Sequence, residues 1–300
     1  MNKTELFRKI SDDLKDKIHF LDDKPEETVE TTLKALWLTA AGVPVSAEGS
    51  LKFSIPDLTE EQVKDLHRLI DQRLNNTPLA HITKRQSFMG IELLSDRRAL
   101  IPRKETEILG IKALELANIL SATRGEINII DACCGSGNLG LAVARLNNDC
   151  IVYATDLSQE AVDLTQDNIR FLNLEQRVHV KQGDLLGAFE TDEFYGKIDL
   201  IICNPPYILS SKVPKMDMEI SANEPVLAFD GGMLGIKIIQ KLISEAPKFL
   251  KSEGWVVFEV GAGQGDFIIK LCEKSQSYKN IQPVTDHSGK IRVIVTQKSL

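Results

Sequence analysis

The sequence lacks the features that mark an extracellular, membrane or metal-binding protein. It holds five cysteines in 300 residues, an odd number with no C-x-x-C pair and no cysteine–histidine cluster, so neither a disulfide framework nor a metal site is expected. No uncharged run approaches the roughly 18 residues of a membrane-spanning helix. The charged start MNKTELFRKISDDLKDKI has no apolar segment typical of a signal peptide. These absences predict a cytoplasmic protein with reduced thiols and no membrane partner.

Positive charge is also in deficit. The net charge is −7 and the isoelectric point about 5.4, whereas a protein that wraps duplex nucleic acid needs a basic surface. Direct, sequence-specific binding of nucleic acid is therefore not expected, although a local basic patch stays open. Hydrophobic content of 43% and charged content of 26% are enough for a globular core.

The first part of the chain is typical of a small helical bundle. Apolar residues recur at helical spacing in PEETVETTLKALWLTAAGV, and Thr59 with Gln62 forms a capping-box pair before a second amphipathic run. We expect residues 1–76 to form a helical domain that packs or binds a partner. Residues 77–100 are expected to form a linker or hairpin.

Residues 101–300 have a different sequence pattern, in which apolar strand-like segments alternate with helical ones. This alternation predicts an α/β domain with a doubly wound sheet, whose ligands bind at the carboxyl ends of the strands. The predicted strands are 127–131, 150–156, 177–184, 197–203, 254–260 and 290–297.

A glycine-rich loop follows the first of these strands, in IIDACCGSGNLG. Gly135, Gly137 and Gly140 match the G-x-G-x-x-G dinucleotide fingerprint, while Asp131 to Gly137 matches the loop of a methyltransferase. Asp156 ends the second strand, 21 residues after Gly135, where a carboxylate can accept both hydroxyls of an adenosine ribose. These residues predict a nucleoside cofactor without choosing between NAD and S-adenosylmethionine.

Asp184 ends the third strand, where its carboxylate could accept from an adenine amino group. A turn or helix-capping role is the alternative for each aspartate taken singly. Three aspartates at successive strand ends favour the nucleoside site.

The fourth strand leads into NPPY, which is Asn204, Pro205, Pro206 and Tyr207. The prolines fix φ and remove two backbone donors, so the carbonyls before them can face a ligand. Asn204 offers an amide side chain and Tyr207 a planar face. The group is suited to clamp a planar –NH₂, whose protons would go to the Asn204 side chain and the Pro205 carbonyl.

Glycine loop, second-strand aspartate and NPPY, in this order, resemble the S-adenosylmethionine-dependent amino methyltransferases. Further stretches resemble the release-factor glutamine N5-methyltransferases (HemK/PrmC family) over nearly the whole chain. They are TPLAHITKRQSFMG (77–90), LIPRKETEIL (100–109), NEPVLAFDGGMLGIKII (223–239), FEVGAGQG (258–265) and DHSGKIRVIV (286–295).

The resemblance implies a seven-stranded Rossmann-like methyltransferase sheet with a small N-terminal helical domain, and S-adenosylmethionine as cofactor. The implied substrate is the Gly-Gly-Gln loop of class-1 release factors, gripped by the helical domain of a monomeric enzyme. Asn204, Pro205, Pro206 and Tyr207 would hold the substrate glutamine amide. The implied cofactor contacts are Asp131, Cys133, Cys134, Gly135, Ser136 and Gly137 around the methionine end, Asp156 at the ribose, Asp184 and Leu185 beside the adenine, and Asn204.

Two segments depart from the family pattern. The joint segment usually has tyrosine-isoleucine-x-glycine, where this chain has His81, Ile82, Thr83 and Lys84. Cys133 stands where many glycine loops have glycine. Arg103 and Glu107, just before the core, are candidates for closing the pocket or for a solvated salt bridge.

Four other functions stay open on the sequence. They are glutamine methylation of a ribosomal protein, N6-methylation of adenine in nucleic acid, NAD(P)-dependent dehydrogenation, and a binding module without turnover. The acidic charge weighs against the second, and NPPY has no role in the third.

Overall fold

The computed structural model describes residues 2–299 and divides them into two compact units. The first unit contains the described residues up to Arg97, together with Ile101–Lys104 and Asp217–Glu224. The second contains Arg98–Leu100, Glu105–Met216 and the described residues from Pro225 onward. The first unit thus takes in the 77–97 segment and one stretch from the second half of the chain. The domain boundaries expected at residues 76 and 100 stay a prediction.

The first unit is built from helices and one short hairpin. The capping box predicted for Thr59 and Gln62 is confirmed at the start of α4, and the helices bury a core around Trp37, Leu36 and Leu66. Its elements before residue 95 are α1 (Lys3–Leu14), α2 (Val29–Ala40), α3 (Ala47–Ser50), α4 (Glu60–Leu74), α5 (Leu79–Thr83), β1 (Arg85–Phe88) and β2 (Ile91–Leu94).

A cluster of four buried charges lies within this first unit. Glu219 accepts from the Lys24 ammonium at 2.7 Å through Oε1 and from the Arg73 guanidinium at 2.7 Å through Oε2. Arg73 also pairs with Glu27 at 3.3 Å, and all four side chains are at most 4% exposed. The two positive and two negative charges balance, so the cluster ties Asp217–Glu224 to the helices of this unit.

The second unit contains the predicted doubly wound sheet. Its strands are β3 (Ile127–Ala132), β4 (Cys150–Asp156), β5 (Val178–Gln182), β6 (Ile198–Cys203), β7 (Leu250–Glu259), β8 (Tyr278–Thr285) and β9 (Ile291–Lys298). These seven strands lie in the order β5-β4-β3-β6-β7-β9-β8. The helices in this part of the sequence are α6 (Glu107–Arg124), α7 (Asn138–Leu146), α8 (Gln159–Phe171), α9 (Met218–Ser221), α10 (Lys237–Phe249) and α11 (Gly265–Ser275), of which α9 belongs to the first unit.

The sheet order creates a switch point between β3 and β6. From β3 the chain proceeds outward through β4 to β5, and then returns to β6 on the other side of β3 and proceeds to β7. The first five strands of this order, β5, β4, β3, β6 and β7, pair in parallel. Strand β9 pairs antiparallel with both β7 and β8. The loops that leave the carboxyl ends of β3 and β6 diverge at this point and open the crevice in which ligands of such sheets bind.

All six predicted strands are present, but β8 was not predicted. Its sequence, YKNIQPVT, contains a proline and alternates poorly, and most of its residues are half-buried or exposed. An edge strand of this kind carries little of the hydrophobic pattern from which strands are recognised. Among residues 2–299, the helices all fall short of the combined length and apolarity that crossing a bilayer requires.

Candidate active site

The glycine loop occupies the carboxyl end of β3 in a left-handed conformation. Cys133, Gly135 and Gly137 have φ values of 56°, 57° and 80°, a region that favours glycine. A Cβ on Gly137 would lie 2.8 Å from both Leu141 Cδ1 and Thr165 Cγ2, whereas a Cβ on Gly135 would meet no protein atom within 4 Å. The loop is therefore packed on one side and open at Gly135, where a ligand has room.

Helix α8 holds the loop from behind. The Thr165 hydroxyl donates to the Gly135 carbonyl at 2.9 Å, and the Asn168 side chain donates to the Ser136 carbonyl at 3.0 Å. The side chains of Cys134 and Ser136 are themselves buried. Their expected contacts with a cofactor stay a prediction.

Asp131 is fully buried beneath the loop. Its Oδ2 accepts from the Gly140 N–H at 2.8 Å, while Oδ1 is buried without a hydrogen-bond partner in the described chain. Burial, together with the charge of Asp156, raises the pKa of Asp131 to about 7. Because a Cβ on Gly140 would come within 2.8 Å of Oδ2, this glycine is needed for close packing of α7 on β3.

Asp156, at the end of β4, faces the loop. Its Oδ2 accepts from the Gly135 N–H and its Oδ1 from the Ser158 N–H, each at 2.9 Å. Burial raises the pKa of Asp156, opposed by these backbone bonds. Each oxygen keeps a second lone pair for a ligand hydroxyl.

Asp184 and Leu185 follow β5 and contact other parts of the protein. The Asp184 carboxylate is exposed and accepts from the Lys241 ammonium at 2.6 Å. Leu185 has a φ of 55° and buries its side chain in the core. Their expected place beside an adenine stays a prediction, with Asp184 already engaged by a lysine.

NPPY leaves β6 next to the glycine loop, because β3 and β6 are paired with Ala132 opposite Cys203. The Asn204 amide nitrogen donates to the Thr106 hydroxyl at 3.3 Å. This bond uses the Asn204 amide as a donor, so that its Oδ1 points away from Thr106.

The Tyr207 hydroxyl donates to Oε1 of Glu259 at 2.8 Å, and burial raises the pKa of Tyr207 well above its usual value. The Tyr207 carbonyl accepts from the Gln264 side chain at 3.2 Å. A Cβ on Gly231 would lie 2.6 Å from the Pro206 carbonyl, and one on Gly235 would collide with the Tyr207 carbonyl. The stretch 223–239 therefore supplies glycines against which the NPPY backbone rests.

Sequence reasoning did not identify Thr106, Glu259, Gln264 and Arg292 as members of this site. Glu259 and Gln264 lie in FEVGAGQG, and a charged residue at the end of the apolar run GWVVF was the available signal for Glu259. Thr106 and Arg292 lie in the family-like stretches 100–109 and 286–295, but their neighbours at the site are far away in sequence.

Arg103 does not form a solvated salt bridge. It is buried within the first unit, where it pairs with Asp23 at 2.8 Å and with Glu224 at 2.7 Å. Glu224 also accepts from the Ile101 N–H at 2.9 Å. Two of the family-like stretches, LIPRKETEIL and NEPVLAFDGG, thus meet at this ion pair.

Comparisons with known proteins agree with this architecture. The model of the methyltransferase small domain matches residues 112–234. Two solved structures share the fold: a Thermus thermophilus 16S rRNA N2 G1207 methyltransferase (TM-score 0.51, 17% identity, covering 71% of this chain and 49% of that one) and the hMettl16 catalytic domain (TM-score 0.54, 14% identity, covering 70% and 76%). The fold and its carboxyl-end loops define a Rossmann-like methyltransferase.

Curated relatives narrow the class. Release factor glutamine methyltransferases of Thermodesulfovibrio yellowstonii and Clostridium acetobutylicum are 33% and 30% identical to this chain, covering 81% and 80% of it and 85% and 81% of their own lengths. The chain belongs to the release factor glutamine methyltransferase family.

Proposed function

We propose that this protein transfers a methyl group from S-adenosylmethionine to the side-chain amide nitrogen (N5) of the glutamine in the Gly-Gly-Gln loop of class-1 release factors. The observation that carries the proposal is the clamp at the end of β6. The Asn204 amide is oriented by Thr106 and the Tyr207 ring is anchored by Glu259, next to the open glycine loop.

The residues around the glycine loop fit an adenosine cofactor with a charged amino-acid tail. Gly135 leaves open space where the backbone meets a ligand, and Asp156 keeps acceptor capacity on both oxygens for the two ribose hydroxyls. Asp131 would support the loop from beneath through its bond to Gly140. When bound, S-adenosylmethionine supplies an electrophilic methyl group on a positively charged sulfur, which becomes a neutral thioether once the methyl has left.

The clamp addresses the main chemical difficulty, which is that an amide nitrogen is a poor nucleophile. Its lone pair is delocalised into the carbonyl, and its proton is too weakly acidic for prior removal by an ordinary base. Asn204 Oδ1 and the Pro205 carbonyl would accept the two amide protons and so fix the direction of the nitrogen. Tyr207 would cover the amide plane. Positioning of this kind replaces a general base, and the proton leaves to solvent during or after transfer.

The glutamine of the protein substrate would have to reach Asn204, which is half-buried. We assign its recognition to the helical first unit, as expected from the sequence. A monomeric, cytoplasmic enzyme stays part of the prediction.

The test uses purified protein with labelled S-adenosylmethionine and release factor, ribosomal proteins or DNA as acceptors. Asn204→Ala should reduce labelling of release factor at least ~100-fold, because loss of one well-placed acceptor removes both orientation and polarisation. Cofactor affinity measured by calorimetry should stay within about threefold of wild type. Asn148→Ala, which alters an exposed loop asparagine, is the matched control. Near-normal turnover of Asn204→Ala would refute the clamp.

A further inference from the structure

The buried carboxyl of Glu259 lies beside the clamp, where it accepts from the Tyr207 hydroxyl. It is the last residue of β7 and is 1% exposed. Strands β6 and β7 are parallel, with Cys203 opposite Phe258. Asn204 directly follows β6, and Glu259 is the residue after Phe258 in β7. The sheet register therefore brings the carboxyl to the level at which the clamp begins.

One hydroxyl group connects this carboxyl directly to the clamp. Tyr207 donates to Oε1 at 2.8 Å. The neighbouring Thr106 accepts from the Asn204 amide at 3.3 Å. The ring of Tyr207 is therefore held by a buried acid.

The negative charge of Glu259 is only partly neutralised, because the nearest guanidinium lies closer to another carboxylate. Arg292 is 3.9 Å from Oε1, and the same guanidinium nitrogen is 2.7 Å from Glu105. The second oxygen of Glu259, Oε2, is buried without a hydrogen-bond partner in the described chain. Burial and the charge of Glu105 raise the pKa of Glu259 to about 7, against the lowering effects of Thr106, Tyr207 and Arg292.

Burying a carboxyl group costs free energy, whereas an apolar side chain at the same place would pack in the sheet without that cost. Simple space filling therefore does not explain an acid at this position. We propose that Glu259 is a positioning residue for methyl transfer: its carboxylate holds the Tyr207 ring in the orientation in which it covers the substrate –NH₂. This inference rests on the proposed methyl transfer. Glu259 touches neither cofactor nor substrate and acts through its neighbours.

The kinetic test compares Glu259→Gln and Glu259→Ala with wild type. Glutamine keeps an acceptor for the tyrosine hydroxyl, whereas alanine removes it, so kcat should fall about tenfold in the first and up to ~100-fold in the second, as for loss of a hydrogen bond to a charged group. Calorimetric affinity for S-adenosylmethionine should be unchanged. Glu253→Gln, an exposed glutamate on the same strand, should retain wild-type turnover. Equal losses in both variants, or a loss of cofactor affinity instead of kcat, would overturn the proposal.

A double-mutant comparison separates positioning from general weakening of the fold. If Glu259 acts through Tyr207, then Glu259→Gln should reduce kcat less than about threefold in a Tyr207→Phe background, since coupled residues are not additive. The same tenfold loss in both backgrounds would contradict the proposal.

A spectroscopic readout is independent of activity. The chain has four tyrosines, so ¹³Cζ-tyrosine labelling gives few signals, and Tyr207→Phe assigns the one of interest. In wild type this signal should titrate with a midpoint near pH 7 as Glu259 ionises, and the titration should be absent in Glu259→Gln. Asp131, whose pKa is also about 7, remains in both proteins and so does not produce the difference. A wild-type enzyme without methyl transfer would refute the proposed function, whereas an identical Tyr207 signal in both proteins would refute the role of Glu259.

Discussion

Removing the charge of Glu219 should lower the free energy of unfolding of the first unit far more than a surface substitution does. Glu219 makes two bonds of 2.7 Å, to Lys24 and Arg73, and is 3% exposed. Glu219→Gln leaves two buried positive charges facing Glu27 alone, and breaking a buried ion pair from one side costs about 3–5 kcal/mol. With an m-value of about 2 kcal/mol/M, the urea midpoint should fall by ~2 M.

The assay is urea unfolding followed by tryptophan fluorescence. The protein has two tryptophans: Trp37 is buried in the core of the first unit, and Trp255 lies on β7 of the second. A Trp255→Phe background therefore reports on the first unit alone. Glu61→Gln, an exposed glutamate on α4, is the control and should change stability by less than about 0.5 kcal/mol.

The pH dependence follows from the pKa of Glu219. Burial raises it, but Lys24 and Arg73 outweigh burial and lower the pKa below its ordinary value of 4.5. A carboxyl with a lowered pKa stabilises the folded state above its unfolded pKa and loses that contribution as pH falls through the folded pKa. The difference in the free energy of unfolding between wild type and Glu219→Gln should thus have its full size at pH 7 and shrink below pH ~4. A loss under ~1 kcal/mol at pH 7 would refute the buried cluster.

Three further substitutions test the site and its departures from the family pattern. Gly140→Ala should destabilise the protein by about 1–3 kcal/mol in thermal melts, because its Cβ collides with a buried carboxylate oxygen 2.8 Å away; Gly187→Ala, which enters open space, should not, and equal effects would contradict the packing. Lys84→Gly should stabilise the protein by up to ~1 kcal/mol, because Lys84 has a φ of 59°. The control Lys64→Gly, inside α4, should destabilise it. A lower stability of Lys84→Gly would refute the argument. Asp156→Ala should weaken S-adenosylmethionine binding at least ~30-fold by calorimetry, since two charge-assisted hydrogen bonds disappear, and unchanged affinity would exclude the ribose role.

The sequence predicted the sheet and the strand-end residues because both leave local patterns. Buried strands such as β6 are nearly all apolar. Asp131 and Asp156 lie at the ends of β3 and β4, and NPPY directly follows β6. The rule that parallel strands gather their carboxyl ends at one edge then brings such residues together without knowledge of the coordinates.

The residues that hold these strand-end residues in place could not be predicted in the same way. Glu259 contacts Tyr207 only because β6 and β7 are neighbours in the sheet, and Asp217–Glu224 joins the first unit through charges distant in sequence. Single residues of this kind carry no periodicity, so only the fold reveals them. Lys84 and Cys133, by contrast, were already marked as departures from glycine, and both adopt positive φ.

The central claim is tested most directly by locating the transferred methyl group. Release factor incubated with the enzyme and S-adenosylmethionine should be digested and analysed by tandem mass spectrometry. We predict one methyl group on the side-chain amide of the glutamine in the Gly-Gly-Gln loop, and none when Asn204→Ala replaces the wild-type enzyme. An unmodified release factor, with the label on a ribosomal protein or on adenine of DNA, would contradict the account.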